Sequence, residues 1–254
     1  MGSTVCQAVA DDPALELVAA VDPFHAGLEL SRVAGVAGVD LAVSSDADSF
    51  IGAEVQVAVD FTEASAARGN LMWLADHSIH AVVGTTGFDD DDVARFESAF
   101  EKSNCVIAPN FAIGAVLMMR LAALAAPYFE TAEIIELHHD GKVDAPSGTA
   151  TLTAERMAER MAEAKRTWGA DPTKTVVYEG ARGGAGPAGI RVHSVRMRGM
   201  VAHQEVILGT TGQTLTIRHD TIDRTSFMPG VLLAVKSIAD HPGVTVGLDQ
   251  LLGL

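Results

Sequence analysis

The residues from Glu136 to Ala150, ELHHDGKVDAPSGTA, bring together side chains that can move protons and hold anions. His138 and His139 titrate near neutral pH, which suits them to proton transfer. Lys142 adds a fixed cation. Ser147-Gly148-Thr149 stands where a helix should open, so backbone N–H groups and two hydroxyls converge at its positive end, a seat for a carboxylate. Taken alone, Ser147 is explained as an ordinary N-cap. Beside two histidines and a lysine, the set is better matched to an anionic substrate that is held at the turn and protonated there. A metal site is not expected. Adjacent strand residues face opposite sides, so His138 and His139 share a site only if the strand ends between them. No third histidine or carboxylate sits nearby at metal-ligand spacing.

A second group of residues lies at the ends of three apolar runs. VQVAVDFT, HAVVGTTGF and CVIAPNF close on Asp60-Phe61-Thr62, Gly84-Thr85-Thr86 and Ala108-Pro109-Asn110-Phe111. Ligands of open parallel sheets bind at the carboxyl ends of the strands. One such end is an ordinary strand-to-helix turn, whereas three together predict a flat cofactor lying against backbone. Asp22 closes a further run, LELVAAVDP, and its carboxylate is suited to the ribose hydroxyls of a dinucleotide. Such an acid falls about 20 residues beyond a glycine loop, and that count reaches Gly2, which matches only the last glycine of such a loop. Pro23, Phe24 and His25 follow Asp22 with no arginine to meet a 2′-phosphate. The expectation is a nicotinamide cofactor, with NADH accepted at least as well as NADPH.

These groups need elements to position them. STVCQAVAD reads as a short helix and LELVAAVDP as a strand, followed by strands at VQVAVDFT, HAVVGTTGF and CVIAPNF. Helices are expected over SAARGNLMWLADH and DDDDVARFESAFEKS, where the acidic run of residues 89–92 complements a helix dipole. Near-continuous apolar strands separated by helices call for a parallel sheet covered on both faces. From Ile113 the pattern changes: a helix to about Ala126, a strand at AEIIELHH, and a helix carrying Ala154, Met157, Ala158 and Met161 on one face. A glycine-rich loop follows. IRVHSVRM, VAHQEVILGTT and TLTIRHD then alternate as an antiparallel meander would, and PGVLLAVKSIAD is a last helix. The fold class is therefore α/β: a Rossmann-like parallel-sheet domain lacking its first strand and glycine loop, with a second α+β domain of mixed or antiparallel sheet. Residues 1–110 and 220–254 are expected to form the dinucleotide-binding domain, and residues 111–219 the substrate-binding domain.

Composition narrows the partners. Eighteen Lys and Arg against 33 Asp and Glu give a formal charge of −15, which disfavours nucleic acid and anionic membrane surfaces. Cys6 and Cys105 form no CxxC pair, no apolar run reaches membrane-spanning length, and the start lacks a secretory pattern. A reducing cytoplasm is the expected setting.

The string HHDGKVDAPSGTA resembles the signature of the 4-hydroxy-tetrahydrodipicolinate reductase (dihydrodipicolinate reductase) family of lysine and diaminopimelate biosynthesis. VVGTTGF, IAPNFAIGA, EGARGG and VAHQEVILGT…LTIRHD…R-S-F-PG resemble family segments in the same order, over nearly the whole chain. The resemblance implies NADH- or NADPH-dependent reduction of a cyclic hydroxy-imine dicarboxylate, with loss of water. It implies His138 as proton donor and acceptor, Lys142 as a second proton donor, and His139 in contact with substrate. Gly148 and Thr149 would hold a carboxylate, and Gly84 to Thr86 with Ala108 to Phe111 would line the nicotinamide half of the cofactor. A homotetramer built through the second domain's sheet is implied too. Family members begin with a strand and a GxxGxxG loop, so the resemblance places about ten residues ahead of Met1. A mis-assigned start codon explains this better than a truncated protein. The 254-residue chain is then expected to bind dinucleotide poorly and to be unstable. The rival function is a non-catalytic dicarboxylate-binding relative that has lost its cofactor site.

Overall fold

The structure is a computed structural model that describes residues 1–254, and the chain divides into two compact units. Unit 1 comprises residues 1–112 and 224–254, and unit 2 residues 113–223.

Unit 1 opens with helix α1 (Gly2–Asp11) and the short helices α2 (Leu30–Ala34) and α3 (Ser49–Gly52). Strand β1 (Val57–Asp60), helix α4 (Ala64–Asp76), β2 (His80–Val83), α5 (Asp90–Ala99) and β3 (Cys105–Ile107) follow in alternation. After unit 2 the chain returns as α8 (Met228–Ser237) and β9 (Val244–Val246), and the four strands form a parallel sheet in the order β1-β2-β3-β9. Ala81, Val82, Val83, Cys105 and Val106 are fully buried, as expected for strands covered on both faces. One cluster joins Ala81, Val83 and Cys105 to Leu71 and Leu74 of α4 and Phe96 of α5.

The four aspartates divide their work. Asp89 caps α5, accepting from the Asp92 backbone N–H while its own N–H donates to the Asp92 side chain, a capping box. Asp90 and Asp91 lie in the first turn. Asp92 also pairs with Arg68 of α4 at 2.6 Å, and Arg68 donates to the Gly87 carbonyl. The loop after β2 is thus fastened to the helix after β1.

LELVAAVDP does not form the expected strand. Val21 makes only an isolated bridge to Ser44, with Asp22 N–H donating to the Ser44 carbonyl and Ser44 N–H to Ala20. An apolar run becomes a strand only when a ladder partner continues alongside it, and here the pairing stops after one bridge.

Unit 2 contains α6 (Ile113–Ala125), β4 (Thr131–His138), α7 (Gly148–Glu163), the two-residue β5 (Gly184–Ala185), β6 (Arg191–Arg196), β7 (Ala202–Thr210) and β8 (Gln213–Thr221). The sheet order is β5-β6-β4-β7-β8. This corrects the meander: β7 and β8 form an antiparallel hairpin, but β6 runs parallel to β4, which lies between β6 and β7. Polar alternation within a run indicates a half-covered strand and carries no information about its neighbour. Ile134, Val192, Val206 and Leu208 pack with Ala122 of α6 and Ala154, Met157 and Met161 of α7. Period-two alternation therefore puts Ile134, Glu136 and His138 on the helix-covered face of β4.

Gly230 sits where α8 meets the end of β3. A Cβ there would lie 2.1 Å from the Phe111 carbonyl oxygen, and backbone cannot yield as a side chain can. Gly230→Ala is expected to lower stability by about 1–3 kcal/mol, read as a lower midpoint in chemical denaturation. An unchanged midpoint would show that α8 does not approach Phe111 this closely.

Candidate active site

In unit 1, a cavity of about 180 Å3 opens at the carboxyl ends of β1, β2 and β3. Its walls are Met1, Phe61, Gly84, Ala108, Pro109, Asn110, Phe111 and Phe227. Six of the sequence-predicted cofactor residues, Phe61, Gly84, Ala108, Pro109, Asn110 and Phe111, thus come together. The turn carrying Phe61 is held by Asp60, whose carboxylate accepts from the Thr62 N–H and hydroxyl and from the Asn70 amide. The Phe61 and Phe111 rings lie 5.8 Å apart. Gly84 is required by contact: a Cβ would fall 2.0 Å from the Phe61 ring. Backbone at Gly84 and three aromatic side chains thus form part of the cavity wall.

The other predicted cofactor residues lie elsewhere. Thr85 is buried and its hydroxyl donates to the Thr62 carbonyl, tying the ends of β2 and β1 together. Thr86 is exposed. Gly2 begins α1 next to Met1, a cavity residue, and no side chain caps that helix start. Asp22 is not among the lining residues. Its carboxylate binds the His25 ring at 2.8 Å and the Phe24 N–H at 2.9 Å, and these bonds hold it below the usual carboxylate range. Phe227 was missed because a single aromatic before Met228-Pro229 has no periodic context in the sequence.

In unit 2, β4 ends at His138 and the chain turns at once, with Lys142 N–H donating to the His139 carbonyl. The strand does end between the two histidines, the condition under which both can serve one site. Lys142 pairs with Asp144 at 2.7 Å. Ser147 is the N-cap of α7, its hydroxyl oxygen accepting from the Ala150 N–H. Gly148 and Thr149 form the exposed and half-buried start of that helix. Behind them the Gln204 amide donates to the Thr153 hydroxyl, which donates to the Thr149 carbonyl, so the first turn is anchored to β7.

Two residues absent from the sequence prediction organise this site. Glu136 is fully buried. One of its oxygens lies 2.5 Å from His138 Nδ1 and accepts from Arg196 at 2.9 Å; the other accepts from Arg196 at 2.8 Å and from the Ser147 N–H at 3.2 Å. Burial pushes the Glu136 carboxyl up, but Arg196, Ser194 and His138 together outweigh it and hold the group below the carboxylate range. Burial likewise pushes the His138 imidazole below the ordinary histidine value, opposed by Glu136 and assisted by Lys142 and Arg196. Glu136 was legible as the i−2 neighbour of His138 on a strand. Arg196 was not, because its place beside His138 depends on the β4–β6 register.

A Rossmann-like parallel sheet with a cavity at its strand ends, in one chain with a mixed-sheet unit bearing a histidine and lysine site, defines a two-domain nucleotide-dependent oxidoreductase. Family models described as "Dihydrodipicolinate reductase, N-terminus" and "Dihydrodipicolinate reductase, C-terminus" match residues 1–111 and 114–252. The chain belongs to the dihydrodipicolinate reductase family. It is 50% identical to the 4-hydroxy-tetrahydrodipicolinate reductase of Cutibacterium acnes, covering all of this chain and 95% of that one. The enzyme of the same name from Nocardia farcinica is 49% identical over the same shares. Among solved structures, the dipicolinate-bound dihydrodipicolinate reductase from Paenisporosarcina sp. TG-14 superimposes with a TM-score of 0.84 at 38% identity, covering 98% of this chain and 94% of that one. An amine dehydrogenase from Mycobacterium smegmatis, at 14% identity and a TM-score of 0.65, shares the fold.

Gly84→Ala tests whether this cavity receives the cofactor. The Phe61 ring can swing away from the new methyl, so folding should lose little while the slot is deformed. We expect NADH affinity to fall roughly tenfold, equivalent to about 1.4 kcal/mol, with the melting temperature nearly unchanged. Equal affinity in a titration of the two proteins would show that the cofactor does not lie against Gly84.

Proposed function

We infer that this chain catalyses the reduction of 4-hydroxy-tetrahydrodipicolinate by NADH or NADPH, with uptake of one proton, giving tetrahydrodipicolinate, oxidised cofactor and water. The reading belongs to lysine and diaminopimelate biosynthesis. The observation that carries it is the His138 site: a half-buried imidazole backed by a carboxylate, beside a lysine and a helix start, in a chain similar over its full length to reductases of this name. That similarity leaves the non-catalytic binding protein without support.

The bound cofactor would supply a hydride, and the residues of the chain would manage charge and protons around it. Transfer of a hydride to the substrate's conjugated imine raises electron density on the substrate, and a nearby acid and cations stabilise and quench it. His138 is the proton donor and Lys142 the second, with His139 touching the substrate. Gly148 and Thr149 seat a carboxylate at the positive end of α7, and Ser147 contributes by capping that helix start. Phe61, Gly84, Ala108, Pro109, Asn110 and Phe111 receive the nicotinamide, with Thr85 and Thr86 in the adjoining turn. Gly2 at the start of α1 suits the pyrophosphate, and Asp22 the adenosine ribose. Support for the dicarboxylate substrate includes the dipicolinate bound by the Paenisporosarcina relative.

Assembly as a homotetramer is assigned to the sheet face of unit 2 turned away from α6 and α7. Glu133 binds Arg182 and His193 there, and Arg218 binds Glu205. A cytoplasmic setting accords with two free cysteines and with the fact that no helix is long and apolar enough to cross a membrane.

His138→Ala should lower kcat by roughly 10²-fold or more while cofactor affinity changes little. Thr149→Val, which removes a carboxylate contact, should act mainly on substrate KM. An unchanged kcat in His138→Ala would move the proton-transfer role to Lys142.

Steady-state kinetics with the two cofactors test the ribose assignment. NADH should serve at least as well as NADPH, because Asp22 repels a 2′-phosphate and no arginine follows it closely. A strong NADPH preference that Asp22→Ala leaves untouched would remove Asp22 from the site.

A further inference from the structure

We propose that Glu136 is the positioning residue of the reaction: its buried carboxylate fixes the His138 ring through Nδ1, and so leaves Nε2 as the atom that gives and takes the proton. The proposal rests on the reading of His138 as proton donor given above. It names a residue whose side chain has no route to substrate, being fully buried beneath His138.

The geometry is specific. Glu136 and His138 are two residues apart on β4, hence on one face, and the register of β4 with β6 sets Ser194 beside Glu136 and Arg196 beside His138. A carboxylate has no proton to donate, so His138 Nδ1, 2.5 Å from it, must be the donor. The neutral ring is then the Nδ1–H tautomer with a bare Nε2, and the charged ring carries its exchangeable proton on Nε2. Arg196 grips both oxygens of Glu136 and also donates to the Asp144 carbonyl, so the carboxylate cannot rotate away and the loop after His138 is held by the same guanidinium. The second oxygen accepts from the Ser147 N–H at the start of α7. One buried group therefore sets the spacing between the proton donor and the helix start proposed to bind the carboxylate.

The charges facing His138 are Glu136 from β4, Arg196 from β6 and Lys142 from the following loop, with Asp144 compensating Lys142. Glu136 is the one negative group in direct contact with the ring. Its charge favours the imidazolium, and both Lys142 and Arg196 disfavour it. Activity that needs protonated His138 is lost as pH rises through the pKa of the ring. Taking the charge from Glu136 lowers that pKa, so the alkaline limb of the kcat/KM profile must move to lower pH.

Glu136→Gln is the test, read on three observables. An amide can accept from Ser147 but turns an N–H2 toward the imidazole, which reverses the tautomer to Nε2–H. We expect kcat to fall at least about tenfold, KM to change far less, and the alkaline limb to move down by on the order of one pH unit. Glu136→Asp, which keeps the charge on a shorter stem, should restore part of the limb's position. Imidazole 15N chemical shifts of His138 in the ligand-free wild type should show the neutral ring protonated on Nδ1. The proposal is overturned if that ring is protonated on Nε2. A Glu136→Gln enzyme that melts lower yet keeps the wild-type tautomer and limb would also overturn it, since that is the signature of a structural role alone. Should Glu136→Gln fail to fold, the wild-type tautomer decides. Absence of reductase activity in the wild type would instead refute the proposed function, while the nitrogen shifts would still report whether Glu136 orients the ring.

Discussion

The structure of unit 2 depends on how it accommodates a charge where water cannot reach. A carboxylate with no exposed surface costs several kcal/mol in desolvation unless paired and hydrogen-bonded. Glu136 meets that requirement with four partners drawn from three places: Arg196 and Ser194 on β6, His138 on its own strand, and the Ser147 backbone at α7. Each partner is committed in turn. Arg196 also holds the Asp144 carbonyl, and Ser147 also caps α7 through Ala150. The strand, the neighbouring strand, the loop and the helix start cannot move independently without leaving the ion unpaired. Buried ion pairs are weak evidence for stability, because apolar replacements often serve as well. Their retention here is better explained by orientation, since an apolar residue at 136 would leave the His138 ring free to rotate and to choose its tautomer.

Unit 1 is organised by a different constraint, the close approach of the Phe61 ring to the backbone at Gly84. The parallel sheet brings three strand ends to one edge, where a glycine, Gly84, and three aromatic residues, Phe61, Phe111 and Phe227, are among the residues that wall the cavity. The polar groups around the cavity are mostly spent on its own turns. Asp60 holds Thr62 and Asn70, Thr85 holds the Thr62 carbonyl, and the Asn110 side chain accepts from Ala112. Arg68, joined to Asp92 and the Gly87 carbonyl, braces the loop that follows Gly84. The turns around the slot are thus held by carboxylates and hydroxyls of residues that do not line it.

The parts of the molecule readable from sequence were those governed by local physics. Helices α4 to α7, the strands β1 to β3, the Ser147 cap and the acidic start of α5 follow from periodicity, capping chemistry and the helix dipole, and all are present. That Phe61, Gly84, Ala108, Pro109, Asn110 and Phe111 come together around one cavity was legible because strand ends share an edge in any parallel sheet. What failed was non-local. LELVAAVDP has the composition of a strand but finds only Ser44 as a partner. The position of β6 parallel to β4 depends on which strand slides in beside β4, and no feature of IRVHSVRM encodes that. Arg196 was invisible for the same reason, being 58 residues from His138 in the chain and its direct neighbour in the sheet.

Glu136 lies between these cases. Its spacing from His138 was in plain view, and a strand period of two places both on one face. Yet a glutamate on a strand is ordinarily read as a solvent-facing residue, because charged side chains are rarely buried without partners. The evidence against that reading is also local. Ile134, at the same parity, is core, whereas Glu133 and Ile135, at the opposite parity, are only half-buried. A charged residue that shares its parity with the core of a strand must be compensated by something the sequence does not show. Here the compensating groups are an arginine and the very histidine proposed to carry the proton. A buried acid in phase with the core is therefore an indicator of a site, and the half-buried polar residue two positions along the strand is the first place to look for the group it orients.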